Sequence, residues 1–309
     1  MSSTFVILFA IIGVLLSFFY LLSGFEEGNL KSYQDTSNYN FVKLSKGLTA
    51  YQTFGKTDDQ TIVVLHGATL PSEGYEGFCK GLSSEGYQVV CYDQYGRGYS
   101  DRPKLKYNMN LYINQLEELL EYLSIDEVIL YGISMGAPIA INFANKNSHK
   151  VLAVGLQVPL VNSQSIFLKS MQIPILGNFI LRVVGVPFAK KRAEQWVQED
   201  PKQKEFIDRY IQQLVLPGTE QSILSSIRNI ANKNYMPSYL SFAKTTIPLH
   251  IAYAIDDDEI DSETVENVLN IIPRTESFTF SGGHGGGSKI VQDLTSLFTD
   301  FLNNNLNER

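Results

Sequence analysis

The pentapeptide Gly132-Ile133-Ser134-Met135-Gly136 follows the β-branched pair Val128-Ile129 and precedes a helix-like stretch, Ala137 to Ala144. A serine between two glycines at a strand-to-helix junction constrains the chain more than any other segment. The turn is so tight that only glycine fits on either side, and it lifts the serine Oγ above the strand end, where a histidine and a carbonyl group can both reach it. Pro138 falls in the first turn of the helix, where a missing N–H costs nothing. Ser134 thus sits at a positive helix N-terminus and is a candidate nucleophile.

The chain has 309 residues with 44% hydrophobic content, enough for one substantial core or a core with a modest insertion. Its formal net charge is −7, and no basic run exceeds Lys190-Lys191-Arg192, which excludes a phosphate-neutralising stripe and hence nucleic-acid binding. The two cysteines, Cys79 and Cys91, are too few for a zinc site or a disulfide framework and read as buried apolar residues.

From Phe5 to Leu22 only Gly13 and Ser17 interrupt an apolar run, and no charged side chain occurs before Glu26. That length suits a membrane-spanning helix over residues 1–25. With no basic n-region and no A-x-A-like cleavage site, it reads as an uncleaved single-pass anchor rather than a signal peptide. The scarcity of Lys and Arg around it leaves the side of the membrane open. Residues 26–40 read as a polar linker.

Beyond the linker, strand-like and helix-like segments alternate, as in a parallel sheet wrapped by helices. Residues 41–54 form a hairpin pattern around Lys46-Gly47. Strands are expected at Thr61–Leu65, Tyr87–Tyr92, Glu127–Tyr131, Val151–Val158, Leu249–Ala254 and Ser277–Phe280, most of them continuous apolar runs. Helical spacing marks Tyr75–Ser84, Leu111–Leu123, Ala137–Ala144, Ser262–Ile272 and Ser288–Asn303. Residues 160–246 hold no strand pattern and read as short helices punctuated by prolines and glycines, too long a stretch for a simple connection. They form a candidate helical cap, with the core at 41–159 and 247–309. The nearly all-round apolar stretch Ile166–Leu181 must pack on protein, line a pocket or touch lipid.

A serine nucleophile needs a base, and the chain has four histidines. His66 ends a strand, His149 lies in a polar loop and His250 lies within a strand. His284 stands in the glycine loop Ser281 to Gly287, directly after the last strand and on the edge where the serine opens, so it is the candidate base. Four carboxylates, Asp256, Asp257, Asp258 and Glu259, follow the penultimate strand, and at most one of them can orient the imidazole. The chain order is serine, acid, histidine.

On these residues the chain, from about Thr61 onward, resembles α/β-hydrolase-fold serine hydrolases of the carboxylesterase and monoacylglycerol lipase-like branch. Leu65-His66-Gly67 is similar to the family's oxyanion loop, and Asp93-Gln94-Tyr95-Gly96-Arg97-Gly98-Tyr99-Ser100 to its D-x-x-G-x-G-x-S turn. Gly283-His284-Gly285 is similar to its histidine loop. Ile255 to Ile260 resembles the family's G-x-x-D-x-I/V pattern, whose register selects Asp258. Ile255 replaces the usual glycine and leaves Asp257 open as the acid.

The resemblance implies an α/β-hydrolase fold: a mostly parallel eight-stranded sheet flanked by helices, with a helical cap and the N-terminal anchor. It implies the triad Ser134, Asp258 and His284. Oxyanion donors would be the N–H groups of Met135 and Ala68, with Thr69 as the alternative to Ala68. Asp93, Gly96, Gly98, Ser100 and Arg102 would build the turn. The expected activity is hydrolysis of carboxylic esters, hydrophobic or monoacylglycerol-like, without metal or cofactor. C–C bond hydrolysis, proline iminopeptidase-like cleavage and a non-turnover ligand sensor are the alternatives on the same fold. Met135 stands where iminopeptidases usually carry Trp. The expected partners are a small hydrophobic ester and a membrane bound through the N-terminal helix.

Overall fold

The computed structural model describes residues 3–22, 26–57, 59–162, 166–173, 175–199 and 201–306. Eight strands, β1 (Asn40–Leu44), β2 (Gly47–Phe54), β3 (Thr61–Leu65), β4 (Gln88–Tyr92), β5 (Val128–Ile133), β6 (Val151–Gln157), β7 (Leu249–Ala254) and β8 (Glu276–Phe280), form one sheet in the order β1-β2-β4-β3-β5-β6-β7-β8. The hairpin β1–β2 and the β2–β4 pair are antiparallel and all other pairs parallel. The parallel strands β3, β5 and β7 are buried along their whole length. Helices on both faces require that continuous apolar character.

Helices α1 (Ser3–Leu22) and α2 (Leu30–Gln34) precede the sheet; α3 (Glu76–Ser84), α4 (Met109–Tyr122) and α5 (Gly136–Lys146) connect its first strands. Between β6 and β7 the chain runs through α6 (Ile166–Ser170), α7 (Leu176–Ile180), α8 (Val186–Glu199), α9 (Lys204–Gln213), α10 (Thr219–Ser226) and α11 (Met236–Phe242). Helices α12 (Ser262–Ile271) and α13 (Val291–Leu306) complete the fold.

Strand alternation divides the core in two. Val63 and Leu65 of β3 pack with Leu116, Leu119 and Leu120 of α4 and with Ile139, Ile141 and Phe143 of α5. Ile62 and Val64 point the other way, toward Phe78 and Leu82 of α3 and Phe298 and Phe301 of α13. A separate cluster, built from Met171, Leu181, Ile207, Tyr210, Ile223 and Ile227, lies within the inserted helices.

Two expectations change. Residues 26–40 carry α2 and are packed rather than free: Tyr33 is buried and stacks on Tyr99 with ring centroids 4.5 Å apart, and the Gln34 side chain donates to the Tyr99 carbonyl at 2.8 Å. Burial of an aromatic ring outweighs the polar composition around it. The expected transmembrane anchor coincides with α1. Its flanking residues 1, 2 and 23–25 and several of its side chains lie outside the described residues, and among the described residues no helix is long and apolar enough to cross a membrane.

Candidate active site

Ser134 stands between β5 and α5 with φ +51°, a left-handed conformation that costs a non-glycine residue about 1–2 kcal/mol. The neighbouring glycines show what enforces it. A Cβ on Gly136 would fall 2.1 Å from the Leu65 carbonyl oxygen, and one on Gly132 would fall 2.7 Å from the Ala137 Cα. The Ser134 N–H donates to Gln157 O at 2.9 Å, and its carbonyl accepts from Ala137 and Leu160. These bonds tie the turn to β6 and α5.

His284 Nε2 lies 2.9 Å from Ser134 Oγ, and its Nδ1 lies 2.9 Å from Asp257 Oδ2. An ionised carboxylate only accepts, so Nδ1 carries the proton and Nε2 accepts from the serine hydroxyl. The acid in contact with the imidazole is therefore Asp257, whose side chain is only 3% exposed, and not Asp258, which is exposed. The cause is local. Asp257 Oδ1 accepts from the N–H groups of Glu259 at 2.8 Å and Ile260 at 2.9 Å, an Asx-type turn that aims the carboxylate inward. The family spacing to Ile260 selects a residue one position too late.

Burial works against the charge on His284, but the Asp257 hydrogen bond and the nearby carboxylates of Glu259 and Asp257 outweigh it and raise its pKa above the usual histidine value. Burial also opposes ionisation of Asp257. The His284 hydrogen bond, with the N–H groups of Ile260 and Glu259, pulls its pKa below the ordinary carboxylate value all the same. Each partner thus favours the charged form of the other.

Sequence reasoning assigned no role to Asp256. Its carboxylate accepts from Gly282 N–H at 3.0 Å and Gly283 N–H at 3.1 Å and so holds the histidine loop, in which both glycines have positive φ. Those hydrogen bonds lower its pKa. A carboxylate 26 residues before a glycine pair gives no sequence signal.

Gly67, Ala68, Thr69 and Met135 line the same cavity as Ser134 and His284. Met135 is the N-cap residue of α5, where N–H groups lack intrahelical partners. His66 is fully buried; its Nε2 accepts from Gln94 N–H at 2.9 Å, so its Nδ1 donates to Gly67 O at 2.8 Å. Burial lowers its pKa to about 3, so it is a neutral brace for this loop. His149 is exposed and His250 is buried against Phe298 and Phe301, both away from the cavity lining.

In the turn after β4, Asp93 is fully buried and accepts from Ser72 N–H and Oγ–H and from Tyr99 N–H. Burial outweighs those bonds and pushes its pKa up to about 6. Arg102 binds Thr219 Oγ1 and the carbonyls of Ser100 and Gly98, which makes it a turn residue outside the cavity lining.

The cavity, about 1400 Å³, opens between the sheet edge and the inserted helices. Leu168, Met171, Leu181, Phe188, Phe206 and Ile223 give it an apolar wall. Two ion pairs join insertion to core beside it: Arg209 to Glu73 at 2.5 Å and Arg192 to Glu259 at 2.8 Å. Glu259 Oε2 is 3.8 Å from His284 Nε2.

A strand-turn-helix serine, a histidine after the last strand and an eight-stranded mostly parallel sheet define an α/β hydrolase. The chain belongs to the α/β hydrolase fold family, whose sequence profile matches residues 60–284. It is similar to a putative non-heme chloroperoxidase of Synechocystis, 30% identical over 102 residues that cover 33% of this chain and 37% of that protein. The first curated relatives are thus matched over little more than a third of their length or less. A proline iminopeptidase of Heyndrickxia coagulans is 21% identical over 85% of this chain and 98% of its own. The fold superimposes on an esterase from Exiguobacterium antarcticum with a TM-score of 0.70 at 19% identity, covering 85% of this chain and 98% of that one.

Proposed function

We propose that this hydrolase cleaves carboxylic esters with hydrophobic acyl groups, monoacylglycerol-like esters among them, through an acyl-enzyme on Ser134. The observation that carries the reading is the hydrogen-bonded series Ser134 Oγ, His284 Nε2, His284 Nδ1, Asp257 Oδ2 at a cavity with an apolar wall. Ser134 attacks the acyl carbonyl as His284 takes its proton; the proton then passes to the leaving alcohol. Asp257 holds the imidazole tautomer and stabilises the imidazolium. The N–H groups of Met135 and Ala68 receive the oxyanion, and water releases the acyl group by the same steps.

Helix α1 supports a second part of the proposal, a tether to a lipid surface. Phe5, Val6, Ile7, Ile11, Val14, Leu15, Phe18 and Leu21 are all exposed on it. Near its C-terminal end Tyr20 stacks on Phe179, with Arg182 4.5 Å over the same ring. An apolar helix attached to the cap would hold the cavity near lipid-borne substrate.

Fluorophosphonate labelling and a p-nitrophenyl ester chain-length series test the reading. Wild type should be labelled and should prefer medium or long acyl chains. Ser134→Ala should lose labelling and about three or more decades of rate while remaining folded. Labelling of Ser134→Ala at another serine with activity intact defeats the proposal. Likeness to proline iminopeptidase over most of the chain favours a peptidase as the second reading. Prolyl-p-nitroanilide turnover exceeding that of every ester would select it.

A further inference from the structure

Arg97, in the turn after β4, is 1% exposed, so its charge has been taken out of water. Among the described residues every acceptor it meets is neutral. Its Nε donates to the Ala68 carbonyl, Nη1 to Gly96 O at 3.2 Å and Ser222 Oγ at 3.0 Å, and Nη2 to Ser226 Oγ at 3.1 Å. A guanidinium buried without a carboxylate is expensive to keep.

Two of its contacts lie at the site. Ala68 belongs to the loop that lines the cavity beside Ser134, and Arg97 lines that cavity too. His66 Nδ1 already holds the preceding carbonyl, Gly67 O, at 2.8 Å, so successive carbonyls of this loop are pinned by His66 and Arg97. A trans peptide points its N–H opposite its C=O. Pinning Gly67 O and Ala68 O therefore turns the N–H groups of Ala68 and Thr69 away from those anchors, and keeps either carbonyl from rotating into the place an oxyanion needs. A cation on the Ala68 carbonyl also polarises the Ala68–Thr69 peptide and strengthens the Thr69 N–H as a donor, while it fixes the far side of Ala68, whose own N–H belongs to the peptide that His66 holds.

The other end of the guanidinium is braced by the insertion. Ser222 and Ser226 both lie on α10 and are buried, and Ser226 Oγ is also 2.9 Å from Tyr112 Oη. We propose that Arg97 is a positioning residue for the oxyanion loop, one whose grip on Ala68 depends on α10 being seated against the core. The inference rests on the ester-hydrolase reading, since it assigns Arg97 a part in stabilising a tetrahedral intermediate. It ties the inserted helices to the chemistry and not only to the cavity wall.

The test compares wild type, R97K, R97M and the double variant Ser222→Ala/Ser226→Ala. For each, kcat and KM on p-nitrophenyl acetate, Ki for a butyl trifluoromethyl ketone and Tm are measured. That ketone forms a tetrahedral adduct on the serine and reads the oxyanion site, whereas KM and Tm do not. R97M should lose about 100-fold in both kcat and ketone affinity, the scale of losing one oxyanion donor, with KM within about twofold. R97K and the double serine variant should lose about tenfold, because the loop is held less firmly. Ketone affinity and kcat within about twofold of wild type, whatever happens to Tm, would reduce Arg97 to a structural residue and overturn the proposal. If R97M does not fold, R97K and the serine pair decide on the same readouts. Fluorophosphonate labelling of wild type at Ser134 is the control: an unlabelled wild type overturns both readings, and a labelled wild type with unchanged variants overturns only the one for Arg97.

Discussion

The Ser134 elbow and the inserted helices are held in place by different physics. At Ser134 the backbone itself leaves no choice, because a single methyl group on Gly136 would collide with the Leu65 carbonyl. The insertion is joined to the core by side chains from far along the chain: Arg97 to Ser222 and Ser226, Arg209 to Glu73, Arg192 to Glu259. Steric exclusion fixes position to a few tenths of an ångström and allows no alternatives. Partly exposed ion pairs hold more loosely and can be traded. The proposed nucleophile is thus built into the rigid part, and the apolar wall proposed to choose the acyl group into the part that can drift.

The sharpest way to break this contrast is at the acid, which sits in the rigid part and yet is surrounded by look-alikes. Asp257→Asn should lower kcat/KM by about 10³–10⁴-fold, because the imidazole loses its orienting acceptor. Asp258→Asn should stay within about twofold of wild type, since no hydrogen bond joins it to His284. The reverse ranking would return the acid to Asp258 and remove the Asx-turn account. A smaller effect is expected at the N-terminal side. A chain starting at Glu26 should melt like the full chain, whereas one starting at Tyr39 loses buried Tyr33 and the Gln34 bonds to Tyr99 and Asp101. That costs about 2–4 kcal/mol and lowers Tm by roughly 5–10 °C. Equal melting temperatures would return residues 26–40 to the status of a linker.

Electrostatics at the boundary between the two regions can be read in the pH profile. The base must be neutral to accept the serine proton, and the His284 pKa is raised above 6.5, so kcat/KM should fall as pH drops through a value above 6.5. Glu259 raises that pKa and Arg192 lowers it. Glu259→Gln should therefore move the acid limb to lower pH and Arg192→Met to higher pH, both weakly because the pair is partly exposed. Coincident limbs in all three proteins would mean that solvent screens the pair from the imidazole.

The sequence carried most of the rigid part. Buried parallel strands are continuous apolar runs, so β3 to β7 lie within a residue or two of where the pattern puts them; β8, mostly exposed at the sheet edge, shows instead as the alternating Ser277-Phe278-Thr279-Phe280, and the Gly-x-Ser-x-Gly elbow announces its own turn. Ser134 and His284 were legible because each is the best-placed residue of its kind beside glycines. The acid was not, since Asp256, Asp257 and Asp258 are chemically alike and only the turn distinguishes them. The bonds that single out Asp257, from the Glu259 and Ile260 N–H groups to its Oδ1, exist only in the folded turn, and the same side-chain contact leaves Asp261 on the surface. Helix α2 escaped because five residues with polar neighbours carry no period, and its stability comes from contacts with Tyr99 and Asp101 more than sixty positions later. Arg97 escaped for the same reason, its partners being a loop carbonyl and two serines of α10.

The smallest expected effect concerns the ion pair that most directly joins the insertion to the loop after β3. Arg209 holds Glu73 through Nε at 2.8 Å and Nη2 at 2.5 Å, with Glu73 13% and Arg209 35% exposed. The hydrogen bond and charge of Glu73 raise the Arg209 pKa, a sign that the contact favours the charged guanidinium. Because Arg209 remains partly wet, Glu73→Gln or Arg209→Met should destabilise by no more than about 1 kcal/mol, and the double variant should be no worse than the poorer single one. In rate, the contrast between the regions predicts a split. Both singles should raise KM for a long-chain ester about two- to threefold, as the wall formed by Phe206 and Ile207 on α9 shifts, while kcat on p-nitrophenyl acetate stays at the wild-type value. A fall in kcat on the short ester with KM unchanged would show that α9 reaches the chemistry as well as the acyl wall, and the division between a fixed nucleophile and a movable specificity surface would have to be redrawn around the Glu73 loop.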